Sequence, residues 1–491
     1  MKFADNQNTR WMETNAHNRT NMNQNNVLFR DKTIMKYLLG LTQQAASRQL
    51  DKQQDLHPGI KVDELPLEEL PGSGMGTEAV LKYFEDHFAD RISNTAGPRY
   101  FGFVVGGSTP ASVAGDWLVS TLDQNPFGST DSIAPQIERQ AIHFLKQLLN
   151  IDEAYFGTFV TGATMSNFVG MATARQWIGE QRGHNYSVEG LAGAEEIRVL
   201  SGSAHSSIFK ALSMAGIGRK AVMKIETLPD REAMDIADLE NQLQLIKVPV
   251  IVSASAGTVN TVDFDDLQAI GRLKEKYNFW LHVDAAFGGF AGCSEKYSHL
   301  TKGINYADSI TVDAHKWLNV PYDSAMHFTR HKILQGNVFQ NQAAYLGGDE
   351  LGPDYLHYTP ENSRRFRALP AWFTLLAYGK AGYAEIVERT CSLAGLLAKH
   401  LERSNAFRLL SPVRMNVVCF TLNRRNLTLQ SVQQYLDRVR DDGRAFFSPT
   451  LYQGVPAIRA AVSNWQTEEK DIMMAVQALE ELAERTPVTL K

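Results

Sequence analysis

The feature that most constrains the fold is an alternation of strand, turn and helix that recurs between residues 157 and 321. The segments are GTFVTGATMSNFVGMATARQW, RVLSGSAHSSIFKAL, PVIVSASAGTVNTVDFDDL, FWLHVDAAFGGF and DSITVDAHKWLNVP. Each strand candidate is continuously apolar rather than alternating, which indicates a sheet that is covered on both faces. This order favours an α/β fold with a mostly parallel sheet, whose ligands bind beyond the carboxyl ends of the strands.

Composition excludes several classes of protein. The 491 residues are enough for two or three domains, and the net charge of -5 gives no electrostatic basis for binding nucleic acid or an anionic membrane. The three cysteines, at 293, 391 and 419, are far apart, so we predict no metal site and expect a reducing cytoplasm. We find no apolar run of membrane-spanning length and no signal sequence, and therefore expect no membrane association.

The change of pattern along the chain predicts three regions. Residues 1–95 begin with a tail that has eight Asn among its first 26 residues and continue as a connector and helices with little core. We expect this region to pack on a second subunit. Residues 96–369 form the large α/β domain, and residues 370–491 form a smaller α+β domain, with no internal repeat.

Lys316 is the first candidate functional residue. It follows the apolar stretch that ends at Asp313, and it stands beside His315. Burying an ammonium group is costly unless it is paired or loses its charge. One chemistry uses such an amine, namely condensation with an aldehyde. The alternative is an ordinary surface lysine.

Three further strand ends carry candidate residues. Thr161-Gly162-Ala163-Thr164 opens a helix and is either a helix cap or an anion site for a phosphate. Asp284 is either an ion-paired aspartate or the partner of a protonated ring nitrogen. It precedes Lys316 by 316 − 284 = 32 residues, about one strand-helix-strand unit. His205 is either structural or lies against an aromatic ring and the reacting bond, and Thr258 is a candidate hydrogen-bond partner for a phenolic oxygen or for that histidine.

Two more segments are ambiguous. In GPRYFGFVVGGSTP, Phe101 and Phe103 either shape a substrate pocket for an aromatic or apolar side chain or belong to a loop that needs its glycines. Tyr345 lies in a stretch with little periodicity, between residues 335 and 360, that is typical of a mobile loop. It either anchors the loop or delivers a proton when the loop closes.

The motifs together resemble a known family. GATMSN, SAHSS, HVDAAFGG and DAHKWL, followed by NSRRFRALPAWF, occur in the order found in the group II pyridoxal phosphate-dependent decarboxylases. That family includes aromatic amino acid, glutamate and histidine-type decarboxylases. The resemblance runs from about residue 98 to the C-terminus and implies the fold-type I architecture, which is like that of aspartate aminotransferase, and a homodimer with a shared active site.

The resemblance also implies roles for individual residues. Lys316 would bind the cofactor's aldehyde, Asp284 would pair with its pyridine nitrogen, and His205 would stack on its ring. Contacts to the cofactor are further implied for Ala163 and Thr164 at the phosphate, with His315 nearby, and for Thr258 and Ala286. Tyr345 approximately matches a loop tyrosine that protonates the substrate carbon. Asp313 departs from the family, whose better-studied members carry Asn there, and a carboxylate beside a phosphate would repel it unless turned away or bridged.

The predicted function is decarboxylation of an L-amino acid to an amine and CO2 with pyridoxal phosphate. Alternatives on the same cofactor are an aldehyde synthase, an aminotransferase or a carbon-carbon lyase. An alternative of another class is a catalytically inactive binding or scaffold protein, which the intact Lys316, Asp284 and His205 argue against.

Overall fold

The computed structural model describes residues 26–484, apart from residue 63, residues 129–131 and residues 342–353. The chain divides into two compact units, Met1–Asn94 and Thr95–Lys491. Within the described ranges, no helix combines the length and the apolar character that crossing a membrane would require.

The N-terminal unit is helical and has very little core. Its helices are α1 (Val27–Thr33), α2 (Met35–Lys52) and α3 (Thr77–His87), followed by a 3-10 turn at Ala89–Arg91. Among its described residues, the buried apolar side chains are Leu38, Ala45 and Ala89. The connector between α2 and α3 exposes Leu67 and Leu70 almost completely, at 101% and 94%. Such a surface is typical of a segment that packs against another protein surface.

A seven-stranded sheet forms the centre of the second unit. Its strands are β1 (Phe156–Val160), β2 (Arg198–Ser201), β3 (Val222–Lys224), β4 (Val250–Ser255), β5 (Trp280–Asp284), β6 (Ser309–Asp313) and β7 (Ala325–Thr329). Their order is β1-β7-β6-β5-β4-β2-β3. The pairs from β3 to β6 are parallel, and β7 is antiparallel to both of its neighbours. Every residue of β4, β5, β6 and β7 is buried, as expected for strands covered on both faces.

Helices cover both faces of this sheet. They are α4 (Pro110–Leu122), α5 (Ala134–Leu149), α6 (Ala163–Gln181), α7 (Tyr186–Glu189), α8 (Ser206–Met214), α9 (Ile236–Leu245), α10 (Leu267–Leu273), α11 (Ala314–Trp317) and α12 (Lys332–Phe339). Short 3-10 turns lie at Arg219–Ala221, Gly288–Cys293, Ser298–Thr301, Ile304–Tyr306 and Tyr355–His357. Helix α6 is buried nearly all round because it packs between the sheet and α8.

The C-terminal part contains a second, antiparallel sheet. Helix α13 (Ala368–Arg403) leads into it and is interrupted at Gly379, where φ is 58°. The strands β8 (Phe407–Leu409), β9 (Val417–Leu422), β10 (Ser448–Tyr452) and β11 (Val455–Ala461) follow the order β10-β11-β9-β8. Helices α14 (Leu429–Asp442) and α15 (Glu469–Glu484) pack on it around a separate apolar core. The predicted α/β class with a mostly parallel central sheet is confirmed.

Candidate active site

A cavity of about 300 Å³ lies beyond the carboxyl ends of the parallel strands. The loops after β2, β4, β5 and β6 supply most of its wall, as the Gly-rich and small-residue turns of the sequence predict. Seven residues predicted from the sequence line it together: Phe103, His205, Thr258, Asp284, Ala286, His315 and Lys316.

Lys316 projects from the first turn after β6. Its Nζ lies 2.9 Å from Oδ2 of Asp313, one turn earlier, and 5.6 Å from the ring centre of Phe287. The side chain is 19% exposed, so the ammonium group has a carboxylate counter-ion while its tip reaches the cavity. A partly buried lysine in this setting is an amine held at a fixed place, which is what condensation with an aldehyde requires.

The hydrogen bonds of Asp313 show where its carboxylate points relative to the expected phosphate site. Its Oδ1 accepts a hydrogen bond of 2.7 Å from the backbone N–H of Ala163, at the start of α6, and also lies 3.5 Å from Nε2 of His315. The carboxylate is therefore turned to the helix N-terminus, where the positive end of the helix dipole favours it. The Ala163 amide predicted to face a phosphate is bonded to Asp313 in this structure.

His315 stands close to the same helix start. Its Nδ1 accepts from the backbone N–H of Ser324 at 3.2 Å, so the neutral ring carries its proton on Nε2. A Cβ on Gly162 would lie 3.4 Å from Cε1 of His315, which places the imidazole against the turn before α6. Burial lowers the pKa of His315, so the ring is neutral at pH 7.

Asp284 ends β5 with its carboxylate in the cavity wall. Oδ1 accepts from the backbone N–H of Ala286 at 3.2 Å, and Oδ2 accepts from Nδ2 of Asn167 at 3.2 Å. Both donors are uncharged, and the residue is 8% exposed. A buried carboxylate that is held by neutral donors is well suited to a cationic N–H group of a ligand.

His205 caps helix α8. Its Nδ1 accepts from the backbone N–H of Ser207 at 3.3 Å and lies 2.7 Å from the Ser207 hydroxyl. The neutral ring therefore carries its proton on Nε2. Burial lowers the pKa of His205, Asp284 opposes that shift, and Lys316 adds to it. The neutral imidazole can stack on a flat ring without adding charge.

The hydroxyl of Thr258 forms its hydrogen bonds with groups other than His205 or a ligand. Its hydroxyl donates to Oε2 of Glu232 at 2.6 Å and accepts from the backbone N–H of Asp263 at 2.9 Å. These bonds fix the loop after β4, and the residue reaches the cavity as part of the wall. Neither His205 nor a ligand is needed to satisfy this hydroxyl.

Of the two aromatic candidates for the pocket wall, Phe103 lines the cavity and Phe101 does not. The prediction for Phe101 is corrected, because this residue is 1% exposed and packs in the C-terminal core with its ring 5.6 Å from that of Phe447. Phe103 lines the cavity with a φ of 55° and is 59% exposed. Strict alternation of side chains in this segment sends both residues to one face, but the positive φ at Phe103 turns it out of the core.

The glycines of this segment also have a structural reason. A Cβ on Gly106 would lie 1.7 Å from the carbonyl oxygen of Lys316, so only glycine permits this approach to the lysine loop. The next residue, Gly107, has a φ of 65°. The segment is thus both a pocket wall, through Phe103, and a loop that needs its glycines.

Sequence reasoning missed Arg459, which lies on β11 and lines the cavity. The residue is 7% exposed, its Nη1 donates to the carbonyl oxygen of Val259 at 2.9 Å, and its Nε is buried with no hydrogen-bond partner among the described residues. Burial lowers the pKa of Arg459. A buried guanidinium group in the wall of a cavity indicates an anionic ligand group. The signal was present in AIRAAVS, where one arginine interrupts a continuously apolar strand.

The arginines near residue 365 have acidic partners of their own. Arg364 is buried in an ion pair with Glu138, Arg365 pairs with Asp116 at 2.6 Å, and Arg367 pairs with Asp323 at 2.8 Å. These pairs support the structural interpretation over a role in binding a distal carboxylate. Tyr345 lies outside the described residues, and its role stays a prediction.

The residues present fit pyridoxal phosphate. One cavity holds an amine, a carboxylate that accepts from neutral donors among the described residues, and an imidazole with its N–H on the far nitrogen. The guanidinium group of Arg459 lies in the same wall. The volume is within the range of small-molecule sites.

The sequence profile of the pyridoxal-dependent decarboxylase conserved domain matches residues 61–423 of this chain. The chain belongs to this family. The match covers the cavity residues from Phe103 to Lys316, and the predicted decarboxylase class and pyridoxal phosphate cofactor are confirmed by it.

Known proteins of the family resemble the chain over most of its length. An aromatic-L-amino-acid decarboxylase of Bacillus atrophaeus is 26% identical over 436 residues, which are 86% of this chain and 88% of that protein. A 4-hydroxyphenylacetaldehyde synthase of Rhodiola rosea is 23% identical over 442 residues, 87% of this chain and 89% of its own. The crystal structure of Oryza sativa TDC with PLP and tryptamine superposes with a TM-score of 0.84 at 22% identity, covering 92% of this chain and 98% of that one. The predicted fold-type I architecture is confirmed.

Proposed function

We propose that this protein decarboxylates an aromatic L-amino acid to the corresponding amine and CO2. The observation that carries the proposal is the cavity whose wall Lys316, Asp284 and the guanidinium group of Arg459 share. A cation is placed where it can hold the substrate carboxylate, and the cofactor groups are placed beside it.

The residues that hold the cofactor take separate roles. Bound pyridoxal phosphate supplies an electron sink for the electron pair that the departing CO2 leaves on Cα. Lys316 would hold its aldehyde carbon, and Asp284 its pyridine nitrogen. Because Asp313 already occupies the amide of Ala163, we propose Thr164 and His315 as the nearer partners of the phosphate.

Arg459 and the cavity's aromatic rings would position the substrate. The guanidinium group can donate to the substrate carboxylate and so orient the bond that breaks. Phe103, Phe287 and Tyr322 line the same cavity, and their rings can pack on an aromatic side chain. Known relatives act on aromatic substrates by name, as decarboxylases or as aldehyde synthases. Which product forms depends on how Cα receives its proton, for which Tyr345 is our candidate.

The test is a substrate screen on the purified protein with pyridoxal phosphate added. Tryptophan, tyrosine, phenylalanine and 3,4-dihydroxyphenylalanine are compared with glutamate, histidine and lysine, and CO2, amine, aldehyde and hydrogen peroxide are measured separately. We expect CO2 and amine in equal amounts from at least one aromatic amino acid. CO2 from glutamate alone, or aldehyde with peroxide as the main product, would contradict the proposal. Lys316→Ala is the inactive control.

We also propose a homodimer in which the N-terminal unit packs on a second copy. Support comes from the apolar side chains of its connector, Leu65, Leu67 and Leu70, which are 58% to 101% exposed. Light scattering should give twice the 54.8 kDa of one chain. Leu67→Asp with Leu70→Asp should weaken the dimer, whereas Leu245→Asp, at an exposed leucine of the second unit, should not. A fully active monomer would refute the shared active site.

We also propose the bounds of two domains and a cytoplasmic location. The separate apolar cores around the two sheets support a large domain of residues 96–369 and a small domain of residues 370–491. The cysteines Cys293, Cys391 and Cys419 are all free, which supports a reducing cytoplasm. Limited proteolysis and thiol counting in the unreduced protein would test these points.

A further inference from the structure

Asn167 connects the two candidate groups that face the cofactor. It lies on α6 and is fully buried. Its Nδ2 donates to Oδ2 of Asp284 at 3.2 Å and to the hydroxyl of Ser207 at 3.0 Å, and that hydroxyl in turn lies 2.7 Å from Nδ1 of His205. The orientation of one amide therefore bears on both the carboxylate and the imidazole of the site.

His282 holds the other end of that amide. Its Nε2 lies 2.9 Å from Oδ1 of Asn167, and its Nδ1 lies 2.8 Å from the hydroxyl of Ser309. The Ser309 oxygen accepts from Nε1 of Trp280 at 2.9 Å. His282, Asn167, Ser309 and Trp280 are all fully buried, so none of these partners can be exchanged for bulk water.

The direction of these hydrogen bonds follows from Asp284, because its carboxylate accepts from the amide of Asn167. The amide therefore presents Nδ2 to Asp284 and Oδ1 to His282. The neutral imidazole carries its proton on Nε2 and donates to Oδ1 of Asn167, so its Nδ1 accepts from the hydroxyl of Ser309, which also accepts from Trp280. Burial lowers the pKa of His282 to about 4, which keeps the ring neutral at pH 7.

The helix leaves a space for this imidazole. Gly170 follows Asn167 by one turn of α6, and a Cβ there would lie 2.7 Å from Nδ1 and 2.8 Å from Cε1 of His282. Residues three apart on a helix share a face, so Asn167 and Gly170 present an amide and a gap to the same side chain. The pattern N-x-x-G in α6 thus matches the histidine on β5.

We propose that His282 is a positioning residue that acts through Asn167 to orient both Asp284 and His205 toward the cofactor. The inference deepens the proposed function and rests on it. Without the N–H of His282, Oδ1 of Asn167 is buried with no donor, and the amide is held only through Nδ2. The amide can then shift, and the Asp284 carboxylate and the imidazole of His205 would both lose their fixed orientation.

The test compares two buried histidines on different strands of the same sheet. His282→Leu removes the donor, and His282→Gln keeps an N–H at a similar reach. His327 on β7 is the matched control, since it is also fully buried, its pKa is lowered by burial to about 3, and its Nε2 has no partner among the described residues. Ser309→Ala removes the hydroxyl that donates to Nδ1 of His282 and accepts from Nε1 of Trp280.

Each variant is loaded with pyridoxal phosphate and measured in three ways: kcat and KM, the pH titration of the bound cofactor's visible absorption, and its dissociation rate. We expect His282→Leu to lower kcat by about 10- to 100-fold, the range for residues that orient ligands through a second residue, with KM changed less than about threefold. The visible titration should shift, His282→Gln should recover most of both effects, and Ser309→Ala should fall between. His327→Leu should match wild type in kcat and in the spectrum.

The idea is overturned if His282→Leu behaves as His327→Leu does, or if His282→Gln is as impaired as His282→Leu. Should His282→Leu not fold, Ser309→Ala and His282→Gln decide, and wild-type behaviour of Ser309→Ala in kcat and spectrum refutes the proposal. If wild type decarboxylates none of the aromatic amino acids, the proposed function has failed. The absorption and dissociation measurements then still decide whether His282 orients the cofactor's partners.

Discussion

Replacing Arg459 by methionine isolates the contact proposed for the substrate carboxylate. The guanidinium group is buried, and its Nη1 donates to the carbonyl oxygen of Val259. Its Nε has no hydrogen-bond partner among the described residues. Methionine has a similar length and no charge, so it can fill the space without leaving a buried unpaired ion.

The size of the effect follows from the type of bond. A hydrogen bond between charged partners contributes about 1.5–3 kcal/mol net, which corresponds to about 10- to 150-fold in affinity. The product amine differs from the amino acid chiefly by lacking the carboxylate. Arg459→Met should therefore weaken binding of the amino acid by that factor and leave binding of the amine within about twofold.

The assay titrates the protein loaded with pyridoxal phosphate with the best substrate of the screen and with its amine, under rapid mixing, and follows the visible absorption. Arg459→Lys keeps a charge but loses the planar donors, so it should fall between wild type and Arg459→Met. An unchanged ratio of the two affinities in Arg459→Met would refute the carboxylate assignment. An equal loss for both ligands would show a general disturbance of the pocket instead.

Four further outcomes are expected. Lys316→Ala should lose the irreversible labelling that borohydride gives in wild type, as visible spectra before and after reduction will show. Asp284→Asn should remain folded and bind cofactor, with kcat lowered by about 100-fold or more because an electrostatic partner of the reacting system is lost. Tyr345→Phe should still release CO2 while the amine yield falls and an oxygen-dependent carbonyl product appears; amine formed at the wild-type rate would place the proton donor elsewhere. The pKa values of about 4 for His282 and about 3 for His327 lie below the unfolded value of about 6.5, so the unfolded chain binds protons first as pH falls. The free energy of unfolding should therefore fall between about pH 6.5 and 4, by about 1.4 kcal/mol per pH unit for each histidine. Urea unfolding at pH 7 and at pH 5 measures this loss, which should be smaller in His327→Leu than in wild type.

The central sheet was predictable because its signal is local. Continuous burial of β4, β5 and β6 leaves runs of apolar residues, and the turns after them must be small to admit a ligand. Lys316 and Asp284 could be placed together because neighbouring parallel strands end at the same edge. The antiparallel β7 between β1 and β6 was not foreseen, since nothing in AMHFT encodes the direction of pairing.

The residues that were predicted wrongly or missed take their positions from contacts between segments that are distant in the sequence. Phe101 and Phe103 are two residues apart, yet the φ of 55° at Phe103 sends one ring to the cavity and the other to a core formed by residues beyond 393. Thr258 bonds to Glu232, 26 residues before it, and Arg459 reaches the cavity from the C-terminal sheet. The pattern of apolar residues does not encode which distant segments meet, although the single arginine in AIRAAVS marks Arg459 as unusual.

The two aspartates that end β5 and β6 show how their surroundings assign different tasks to one residue type. Asp313 meets the ammonium group of Lys316 at 2.9 Å and the N–H of Ala163 at 2.7 Å, so its charge is matched by a cation of the chain itself. Asp284 accepts only from the neutral donors of Asn167 and Ala286 in the hydrogen bonds that the structure gives it. Its negative charge is therefore not matched by a cationic donor among the described residues and is available to a cationic group of a ligand. A protonated ring nitrogen is such a group, and this is the physical reason to assign the cofactor's nitrogen to Asp284 rather than to Asp313.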